Sequence, residues 1–347
     1  MELRDAKSMN VQELREAMKS LGLPAFHAGQ IFRWFARGAE SFDEMSDLSK
    51  AARETLKEHF YVSVPELAAR QQSEDGTEKY LWRLRGGDCV ESVFMRYHHG
   101  NSLCISTQAG CRMGCVFCAS TKLGLSRGLT PGEMLDEVIF AQKTTGLRVD
   151  SLVLMGTGEP LDNFDNVMKF LELLTCPEGL NLGARHVSLS TCGLVPRIYD
   201  LAERDLAITL SVSLHAPENA LRDQLMPVNR AYPLEQLIPA CRDYFAKTGR
   251  RISFEYAMIR DRNDTSAMAE RLCDLLEGLP AHVNLILLNP IRESPLQPSE
   301  RGQVERFIAV LEKRGVNVTV RRRMGRDIDA ACGQLRRRVM QNEEVSG

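Results

Sequence analysis

The sequence predicts an α/β fold in which a largely parallel β-sheet, curled into a partial or full barrel, follows a small N-terminal helical domain. Three observations predict it. Apolar residues recur at helical spacing through the first 70 residues, strand-like and helical segments alternate from residue 102 onward, and the 347 residues exceed the roughly 100–200 of one ordinary core. A flat, doubly wound sheet is the alternative arrangement of the same segments.

The N-terminal 70 residues are predicted to form a small helical bundle. Val11, Leu14 and Met18 fall on one face of a helix, Pro24 interrupts the pattern, and Phe35 belongs to the segment that resumes it.

A β-hairpin and then a repeating strand–helix unit are predicted after this bundle. Residues 80–84 and 90–97 flank Gly86-Gly87-Asp88, which suits a hairpin turn. Later strands are predicted near residues 103–106, 151–155, 186–190, 207–214, 252–258, 283–288 and 316–320. Helices are predicted around residues 130–145, 164–175, 196–204, 234–248, 265–278 and 299–314. Because ligands of such folds bind beyond the carboxyl ends of the strands, the polar residues that follow each strand are candidates for a site.

The composition excludes several classes of protein. Hydrophobic residues make up 44% of the chain and charged residues 26%, as in a globular protein with a sizeable core. No apolar run approaches the roughly 20 residues that cross a bilayer, and the acidic first residues do not resemble a secretory signal. We therefore expect a cytoplasmic protein with no membrane partner, whose ten cysteines serve metal or thiol chemistry rather than a disulfide framework.

The net charge of -2 argues against a general binder of polyanions, but the basic residues are clustered. Arg250-Arg251, Arg321-Arg322-Arg323 and Arg336-Arg337-Arg338 provide local positive faces that suit phosphate groups. An ordinary solvated helix face or strand end is the alternative interpretation of each run.

A cysteine motif follows the first predicted barrel strand. In the sequence CRMGCVFC, Cys111, Cys115 and Cys118 form a C-x-x-x-C-x-x-C pattern. Four thiolates complete an ordinary iron–sulfur cube, so three leave one iron open to another ligand. A structural zinc site is the alternative, but it requires a fourth nearby cysteine or histidine. The position after a strand and the neighbouring Phe117 favour a 4Fe–4S cluster.

The residues MGTGEP, at positions 155–160, form a glycine-rich turn after the second predicted barrel strand. The glycines let the backbone approach a ligand, and Glu159 offers a carboxylate to an amine or a ribose. Later strand ends carry Ser190, Ser213, His215 and Asn289. Each alone is typical of a turn, but their shared placement indicates one ligand site.

Three further residues have little local signal. Cys332 lies in DIDAACGQL after the last predicted strand, and an isolated free cysteine is most often a small buried hydrophobic residue. Cys104 lies seven residues before the cysteine motif, and Glu91 looks like an ordinary polar residue of a hairpin strand.

The cysteine motif resembles that of the radical S-adenosylmethionine superfamily. The longer strings SLCISTQAGCRMGCVFC, LMGTGEPLDN, SLSTCGLVP, SLHAP, LMPVN and DIDAACGQL resemble the RlmN/Cfr family of RNA adenine methyltransferases, from about residue 90 to 335. The resemblance implies a radical SAM partial (β/α)6 barrel with a small N-terminal helical domain. The implied units are a helical accessory domain that helps bind RNA, a β-hairpin extension with the barrel, and a C-terminal tail, at residues 1–70, 71–325 and 326–347.

The resemblance also implies the cofactors and their ligands. A 4Fe–4S cluster would be held by Cys111, Cys115 and Cys118, and S-adenosylmethionine would bind its open iron, with two molecules used per turnover. The positions that match the family's contacts with S-adenosylmethionine are Gly158, Glu159, Ser190, Ser213, Leu214, His215 and Asn289.

In the family's scheme, Cys332 accepts a methyl group and then carries its carbon, as a radical, to an adenine. Glu91 would remove the ring proton, and Cys104 would form a disulfide with Cys332 that releases the methylated base. The radical route answers a chemical problem, because carbon 2 of adenine is electron-poor and carries no acidic proton. The resemblance therefore requires these two thiols and the carboxylate to meet at the barrel mouth.

The branch of the family decides the expected substrate. The RlmN branch methylates carbon 2 of an adenine in 23S ribosomal RNA and in some transfer RNAs, whereas the Cfr branch methylates carbon 8. Pro160 favours the RlmN branch, although Thr157 and Cys192 are unusual there. We therefore expect 23S rRNA and tRNA as partners of a monomer, together with an electron donor such as flavodoxin and its reductase.

The residues that we expect to contact RNA are Arg33, Trp34, Arg37, Arg321 to Arg323 and Arg326. For Trp34 the alternative is that its side chain belongs to the hydrophobic core.

Two other functions remain as alternatives at this point. A radical SAM activating enzyme that acts on a protein would use the same three cysteines but assigns no role to Cys104 or Cys332. A zinc-stabilised RNA-binding module would not be an enzyme, and metal analysis would reveal it.

Overall fold

The computed structural model describes residues 3–289, 295–322, 324–325, 327–328 and 335. In chain order its α-helices are α1 (Val11–Ser20), α2 (His27–Ala36), α3 (Lys50–His59), α4 (Pro131–Thr145), α5 (Phe164–Thr175), α6 (Val195–Ala202), α7 (Asn219–Leu225), α8 (Leu234–Thr248), α9 (Ser266–Leu276) and α10 (Arg301–Lys313). Within the described residues, none of these helices has both the length and the apolar character needed to cross a membrane.

The strands are short and mostly alternate with the helices. They are β1 (Arg4–Asp5), β2 (Phe60–Tyr61), β3 (Glu66–Gln72), β4 (Glu78–Arg83), β5 (Cys89–Tyr97), β6 (Gly100–Cys104), β7 (Gln108–Gly110), β8 (Leu125–Gly128), β9 (Ser151–Leu154), β10 (Val187–Thr191), β11 (Thr209–Ser213), β12 (Ile252–Met258), β13 (Ala281–Leu287) and β14 (Asn317–Val320).

Helix α4 shows how the local sequence sets an element's boundaries. The Thr130 hydroxyl accepts a hydrogen bond from the N–H of Glu133, and the Glu133 carboxylate accepts one from the N–H of Thr130. This capping box satisfies donors that the first turn would otherwise leave unpaired, and Pro131 suits the same turn. The helix ends at Gly146, whose φ of 68° favours a residue without a Cβ.

One large sheet organises the molecule. Its strand order is β14-β13-β12-β11-β10-β9-β6-β5-β4-β3. All pairings from β6 to β14 are parallel, whereas β3, β4, β5 and β6 pair antiparallel as successive hairpins. The predicted barrel strands and the helices between them are confirmed, and the predicted hairpin is the β4–β5 pair.

The sheet curls, as the predicted partial barrel requires. Arg321, directly after β14, donates a hydrogen bond to the sulfur of Met155, directly after β9, over 3.5 Å. Four strands lie between β14 and β9 in the sheet, so a flat sheet would hold these residues far apart. The observed contact excludes the flat alternative.

The N-terminal helices pack against the barrel rather than standing apart. Leu14, Ile31 and Phe35 belong to the same hydrophobic cluster as Phe140 of α4. The buried ammonium of Lys7 also lies 2.6 Å from a carboxylate oxygen of Asp136 on α4. This packing gives the N-terminal region a defined place against the outer layer of helices.

The predicted helical character up to about residue 70 is wrong beyond His59. Residues Glu66–Gln72 form strand β3, which pairs antiparallel with β4. The sequence ELAARQQ contains good helix formers. The backbone hydrogen bonds that this segment makes with β4 stabilise the strand more than its local propensity stabilises a helix.

Candidate active site

The three motif cysteines lie on the loop between β7 and β8, at the carboxyl end of the barrel strands. The Cys118 N–H donates to the Cys115 carbonyl over 3.1 Å, and the Cys111 N–H donates to the Gly124 carbonyl over 2.9 Å. Gly110 has a φ of 91°, and a Cβ there would lie 1.9 Å from the Gly124 oxygen. The loop therefore depends on glycine at position 110 to present the cysteines.

Burial controls the chemistry of these thiols. It raises the pKa of Cys111 to about 11, and it raises the pKa of Cys115 further, with the neighbouring cysteines adding to both shifts. A bound cation reverses this preference, because its positive charge stabilises thiolates. Within the described residues no three Cys, His, Asp or Glu side chains converge closely enough to share one metal ion. The thiolates of an iron–sulfur cube each bind a different iron, and all three cysteines line one cavity of about 280 Å³.

Glu159 forms a second wall of this cavity. Its carboxylate accepts hydrogen bonds from the N–H of Cys192, at 2.7 Å, and the N–H of Leu161, at 3.1 Å. The preceding Gly158 has a φ of 114°, and a Cβ there would lie 2.8 Å from the backbone nitrogen of Gln108. Burial raises the pKa of Glu159, whereas the hydrogen bonds from Cys192 and Leu161 lower it. The two hydrogen bonds hold the carboxylate in one orientation.

The other predicted strand-end residues, with one exception, line the same cavity. They are Ser190, Ser213, His215 and Asn289. The exception is Leu214, whose side chain is buried in the main core. Leu214 donates its N–H to the Glu255 carbonyl over 3.0 Å, so any contact that it makes with a cofactor comes from its backbone.

His215 has a defined role for each ring nitrogen. Its Nδ1 accepts a hydrogen bond from the N–H of Ala257 over 2.9 Å, so the ring proton of the neutral form lies on Nε2. Burial lowers the pKa of His215 to about 3, and the nearby Arg222 adds to the shift. Its ring packs edge-on against Phe117 of the cysteine loop, with 4.8 Å between ring centres. A neutral, fixed imidazole therefore faces the cavity.

Glu91 and Cys104 lie beside this cavity on adjacent strands. Val93 of β5 is directly opposite Cys104 of β6, so the alternation along β5 places Glu91 and Cys104 on the same face of the sheet. Cys104 belongs to a cluster that includes Met155, and Met155 also lines the cavity. The Glu91 carboxylate lies 3.1 Å from the buried ammonium of Lys79. The third residue of the predicted set, Cys332, lies outside the described residues.

No disulfide joins two of the cysteines that the structure describes, so it gives no support to the predicted disulfide bond. The described cysteines are Cys89, Cys104, Cys111, Cys115, Cys118, Cys176, Cys192, Cys241 and Cys273.

Sequence reasoning missed Arg222, which is fully buried behind the cavity. Its guanidinium donates to the carbonyls of Leu214, Cys192 and Ser213 at 3.1, 2.8 and 3.1 Å. It also donates to the side chain of Asn229 at 2.8 Å. It therefore ties together the ends of two barrel strands that carry predicted site residues. No local signal marks it, because an arginine on a short helix normally points into solvent.

Glu255 was also missed. It lines the cavity from the middle of β12, where a strand pattern predicts only core residues. One carboxylate oxygen accepts hydrogen bonds from Ser253 and Asn284, at 3.2 and 3.0 Å. The other oxygen is buried and has no hydrogen-bond partner among the described residues. The cavity wall thus includes a strong acceptor in addition to Glu159.

Two family models match the chain. The model described as the radical SAM superfamily matches residues 105–273, which include the cysteine loop and most of the barrel. The model described as the ribosomal RNA large subunit methyltransferase N-terminal domain matches residues 5–62, which include α1 to α3.

Full-length relatives agree with these models. The chain is 49% identical to a protein of Lachnospira eligens named probable dual-specificity RNA methyltransferase RlmN, over 99% of each chain. It is 54% identical to a protein of the same name from Desulforamulus reducens, over 96% of this chain and 95% of the relative. The crystal structure of a radical SAM methyltransferase from Sphaerobacter thermophilus superposes with a TM-score of 0.92 at 41% identity, over 95% of this chain and 98% of that one. The chain therefore belongs to the RlmN family of radical S-adenosylmethionine methyltransferases.

Proposed function

We propose that the chain methylates carbon 2 of an adenine in 23S ribosomal RNA, and in transfer RNA, through a methylated cysteine. One observation carries the proposal. The predicted cluster cysteines and the predicted cofactor contacts other than Leu214 line a single cavity, and Glu91 and Cys104 lie together on the sheet beside it. Residues that are distant in sequence thus meet at one end of the barrel.

The donors of the cavity fit both cofactors. The three thiols suit a 4Fe–4S cluster with one open iron, and the Glu159 carboxylate suits the amino group of S-adenosylmethionine. The cavity of about 280 Å³ is close to the roughly 300 Å³ at which ligand pockets begin. When bound, the cluster and S-adenosylmethionine supply a transferable methyl group and a 5′-deoxyadenosyl radical.

Cys332 would act first, as a nucleophile. Its thiolate sulfur forms a bond to the methyl carbon, the carbon–sulfonium bond breaks, and the thiol proton leaves to solvent. The methyl group of Cys332 would then give one hydrogen atom to the 5′-deoxyadenosyl radical, and its carbon would form a bond to carbon 2 of the adenine. The odd electron of this adduct would return to the oxidised cluster.

Glu91 and Cys104 would complete the reaction. Glu91 forms an ion pair with Lys79. In this pair Glu91 is a carboxylate, and a carboxylate is the form that accepts the proton from carbon 2. The Cys104 thiolate then attacks the sulfur of Cys332, so that a transient disulfide forms and the bond between Cys332 and the methyl carbon breaks. The released carbon keeps the electron pair of that bond and takes up a proton, which completes the methyl group on the adenine. A two-electron reductant later restores both thiols.

The position of Leu335 supports a role for Cys332. Leu335 is buried against Leu81 and Cys89, and Leu81 lies directly opposite Glu91 in the sheet. Leu335 therefore lies on the face of the sheet that also carries Glu91, and it is three residues from Cys332 along the chain.

The names of the relatives support RNA as the substrate, since those proteins are called dual-specificity RNA methyltransferases. Pro160 supports carbon 2 rather than carbon 8. Of the candidate RNA contacts, Arg33, Arg37, Arg321 and Arg322 are exposed, whereas Trp34 is partly buried and donates to Asp47 over 2.6 Å. Arg323 and Arg326 lie outside the described residues.

The proposal is tested with anaerobically reconstituted protein, a reductant, S-adenosylmethionine, and either a 23S rRNA fragment or tRNA. We expect 5′-deoxyadenosine and RNA that mass spectrometry of nuclease digests shows to be methylated on adenine carbon 2. Methylation on carbon 8 would overturn the assignment to carbon 2. Zinc without iron or sulfide in anaerobically purified protein would overturn the radical chemistry.

Arg222→Lys is expected to weaken the binding of S-adenosylmethionine by about tenfold, with little change in iron content. Lysine keeps the charge but cannot donate to several carbonyls at fixed angles. The strand ends at Cys192 and Ser213 therefore lose the hydrogen bonds that hold them together. Anaerobic equilibrium dialysis measures the effect. The control is Arg197→Lys, since Arg197 is an exposed arginine paired with Asp200 on the neighbouring α6. Equal affinity of the two variants would contradict the bracing role.

A further inference from the structure

The turn between β3 and β4 contacts the C-terminal tail. The Gly325 N–H donates to a carboxylate oxygen of Asp75 over 2.9 Å. The Glu74 N–H donates to a carboxylate oxygen of Asp327 over 3.1 Å, and the Ser73 hydroxyl donates to the other oxygen. About 250 residues of chain separate the two partners in each of these bonds, so they are tertiary contacts and not turn geometry.

The turn also has hydrogen bonds of its own. The Ser73 N–H donates to the Thr77 carbonyl over 2.8 Å, and the Gly76 N–H donates to the Ser73 carbonyl over 3.0 Å. The second oxygen of Asp75 accepts the N–H of Thr77 over 2.9 Å. Burial opposes ionisation of Asp75, but the hydrogen bonds from Thr77 and Gly325 outweigh it and lower its pKa to about 2. The carboxylate is therefore charged at neutral pH, which strengthens its bond to Gly325.

The same hairpin holds the tail at a second place. Leu335 is buried in a small cluster with Leu81 of β4 and Cys89 of β5, against which Ala68 and Ala69 of β3 also pack. At the other end, Met324 packs against the cluster that contains Cys104. The tail is thus anchored before and after position 332, and both anchors lie on strands that also carry Lys79 and Glu91.

We propose that the β3–β4 turn is a clamp that positions the C-terminal tail for catalysis, with Ser73 and Asp75 as its positioning residues. The inference rests on the proposed function of Cys332. Because β4 pairs with β5, and β5 carries Glu91, the clamp ties the tail to the strand that holds the proposed base. Neither Ser73 nor Asp75 lines the cavity with the three motif cysteines, so the clamp acts on the alignment of the tail and not on cluster binding.

A loosened tail has a specific kinetic consequence. Cleavage of S-adenosylmethionine depends on the cavity, whereas transfer of the carbon to RNA depends on where the tail holds Cys332. Loss of the clamp therefore uncouples the two events, so that more 5′-deoxyadenosine forms for each RNA methylated. A general loss of stability would lower both products together and leave their ratio unchanged.

The experiment compares the full-length, reconstituted wild type with the Ser73→Ala/Asp75→Ala double variant. Two quantities are measured: hydrogen exchange of the tail peptide that begins at Met324, and the ratio of 5′-deoxyadenosine to methylated RNA. The side chains of Ser73 and Asp75 make two hydrogen bonds with the tail, and their removal is expected to speed exchange of the tail and raise the ratio, each by about tenfold or more. Asp75→Asn, which keeps an acceptor for Gly325, is expected to give an intermediate ratio.

Glu66→Gln is the matched control, because Glu66 is an exposed carboxylate on the same strand β3 whose partner, Arg83, is 3.9 Å away. It is expected to change neither quantity. Two results would refute the proposed clamp. In the first, hydrogen exchange of the tail stays as slow in the double variant as in the wild type. In the second, exchange becomes faster but the ratio of 5′-deoxyadenosine to methylated RNA stays at the wild-type value. If the double variant fails to fold, the Ser73→Ala single variant replaces it in both measurements. Undiminished RNA methylation in Cys332→Ala would instead refute the proposed function, so the two failures are distinguishable.

Discussion

Replacing Cys332 with alanine is expected to abolish RNA methylation, with a loss of at least about a thousandfold, while the absorbance of the iron–sulfur cluster stays unchanged. The physical reason is that carbon 2 of adenine is too electron-poor to attack a sulfonium methyl group, so the methyl carbon must first be bound to a thiolate that the protein supplies. The proposed cluster ligands are Cys111, Cys115 and Cys118, which line the cavity and are unchanged in this variant, so we expect the cluster to bind as in the wild type.

The measurement is incorporation of the methyl group into RNA, together with mass spectrometry of the tail peptide for a methylated cysteine. Cys176→Ser is a suitable control, because Cys176 follows α5, contacts Glu178 and lies outside the cavity. It is expected to keep wild-type activity. Methylated RNA from the Cys332→Ala variant at the wild-type rate would exclude the cysteine-bound intermediate.

Replacing Cys104 with alanine is expected to trap the protein covalently on its RNA. The variant would still accept the methyl group on Cys332 and still form the bond to adenine, but it would lack the thiolate that breaks the link to Cys332. Release of product is then expected to fall by at least about a thousandfold, and the adduct to approach one RNA per protein. Cys104 is buried and small, and its neighbours Val93 and Met95 remain in place, so the fold tolerates the change.

A denaturing gel with labelled RNA shows the adduct directly. Nuclease digestion followed by mass spectrometry should locate the link at Cys332. Cys241→Ala offers a comparison, since Cys241 is also buried and lies on α8, outside the cavity. A Cys104→Ala variant that turns over repeatedly without an adduct would assign the release step to another group.

Local patterns predicted the parts of the site that one stretch of chain carries. Cys111, Cys115 and Cys118 are a motif on a single loop, and Gly158 with Glu159 forms a single turn, so their spacing alone indicates a ligand site. The strand-end residues Ser190, Ser213, His215 and Asn289 were predicted by an additional step, because the carboxyl ends of parallel strands meet at one edge of a sheet.

Other residues could not be found in this way. The significance of Glu91 and Cys104 depends on the pairing of β5 with β6, and from the residues alone Glu91 is an ordinary member of a hairpin strand. Arg222 bonds mainly to backbone carbonyls, which every residue has, so no sequence pattern names its partners. The strand at Glu66–Gln72 was missed because its composition favours a helix and only the partner strand β4 decides otherwise.

By itself, the sequence determined the alternation of strands and helices, the cysteine motif and the glycine turn, since periodicity, covalent spacing and backbone freedom are properties of neighbouring residues. Only the tertiary structure decided which strands pair, that Arg222 points inward, and that the tail at Gly325 and Asp327 docks on the β3–β4 turn. The physical reason is that backbone hydrogen-bonding groups are the same at every position, so the partner of a given strand or buried charge is chosen by the packing of the whole chain.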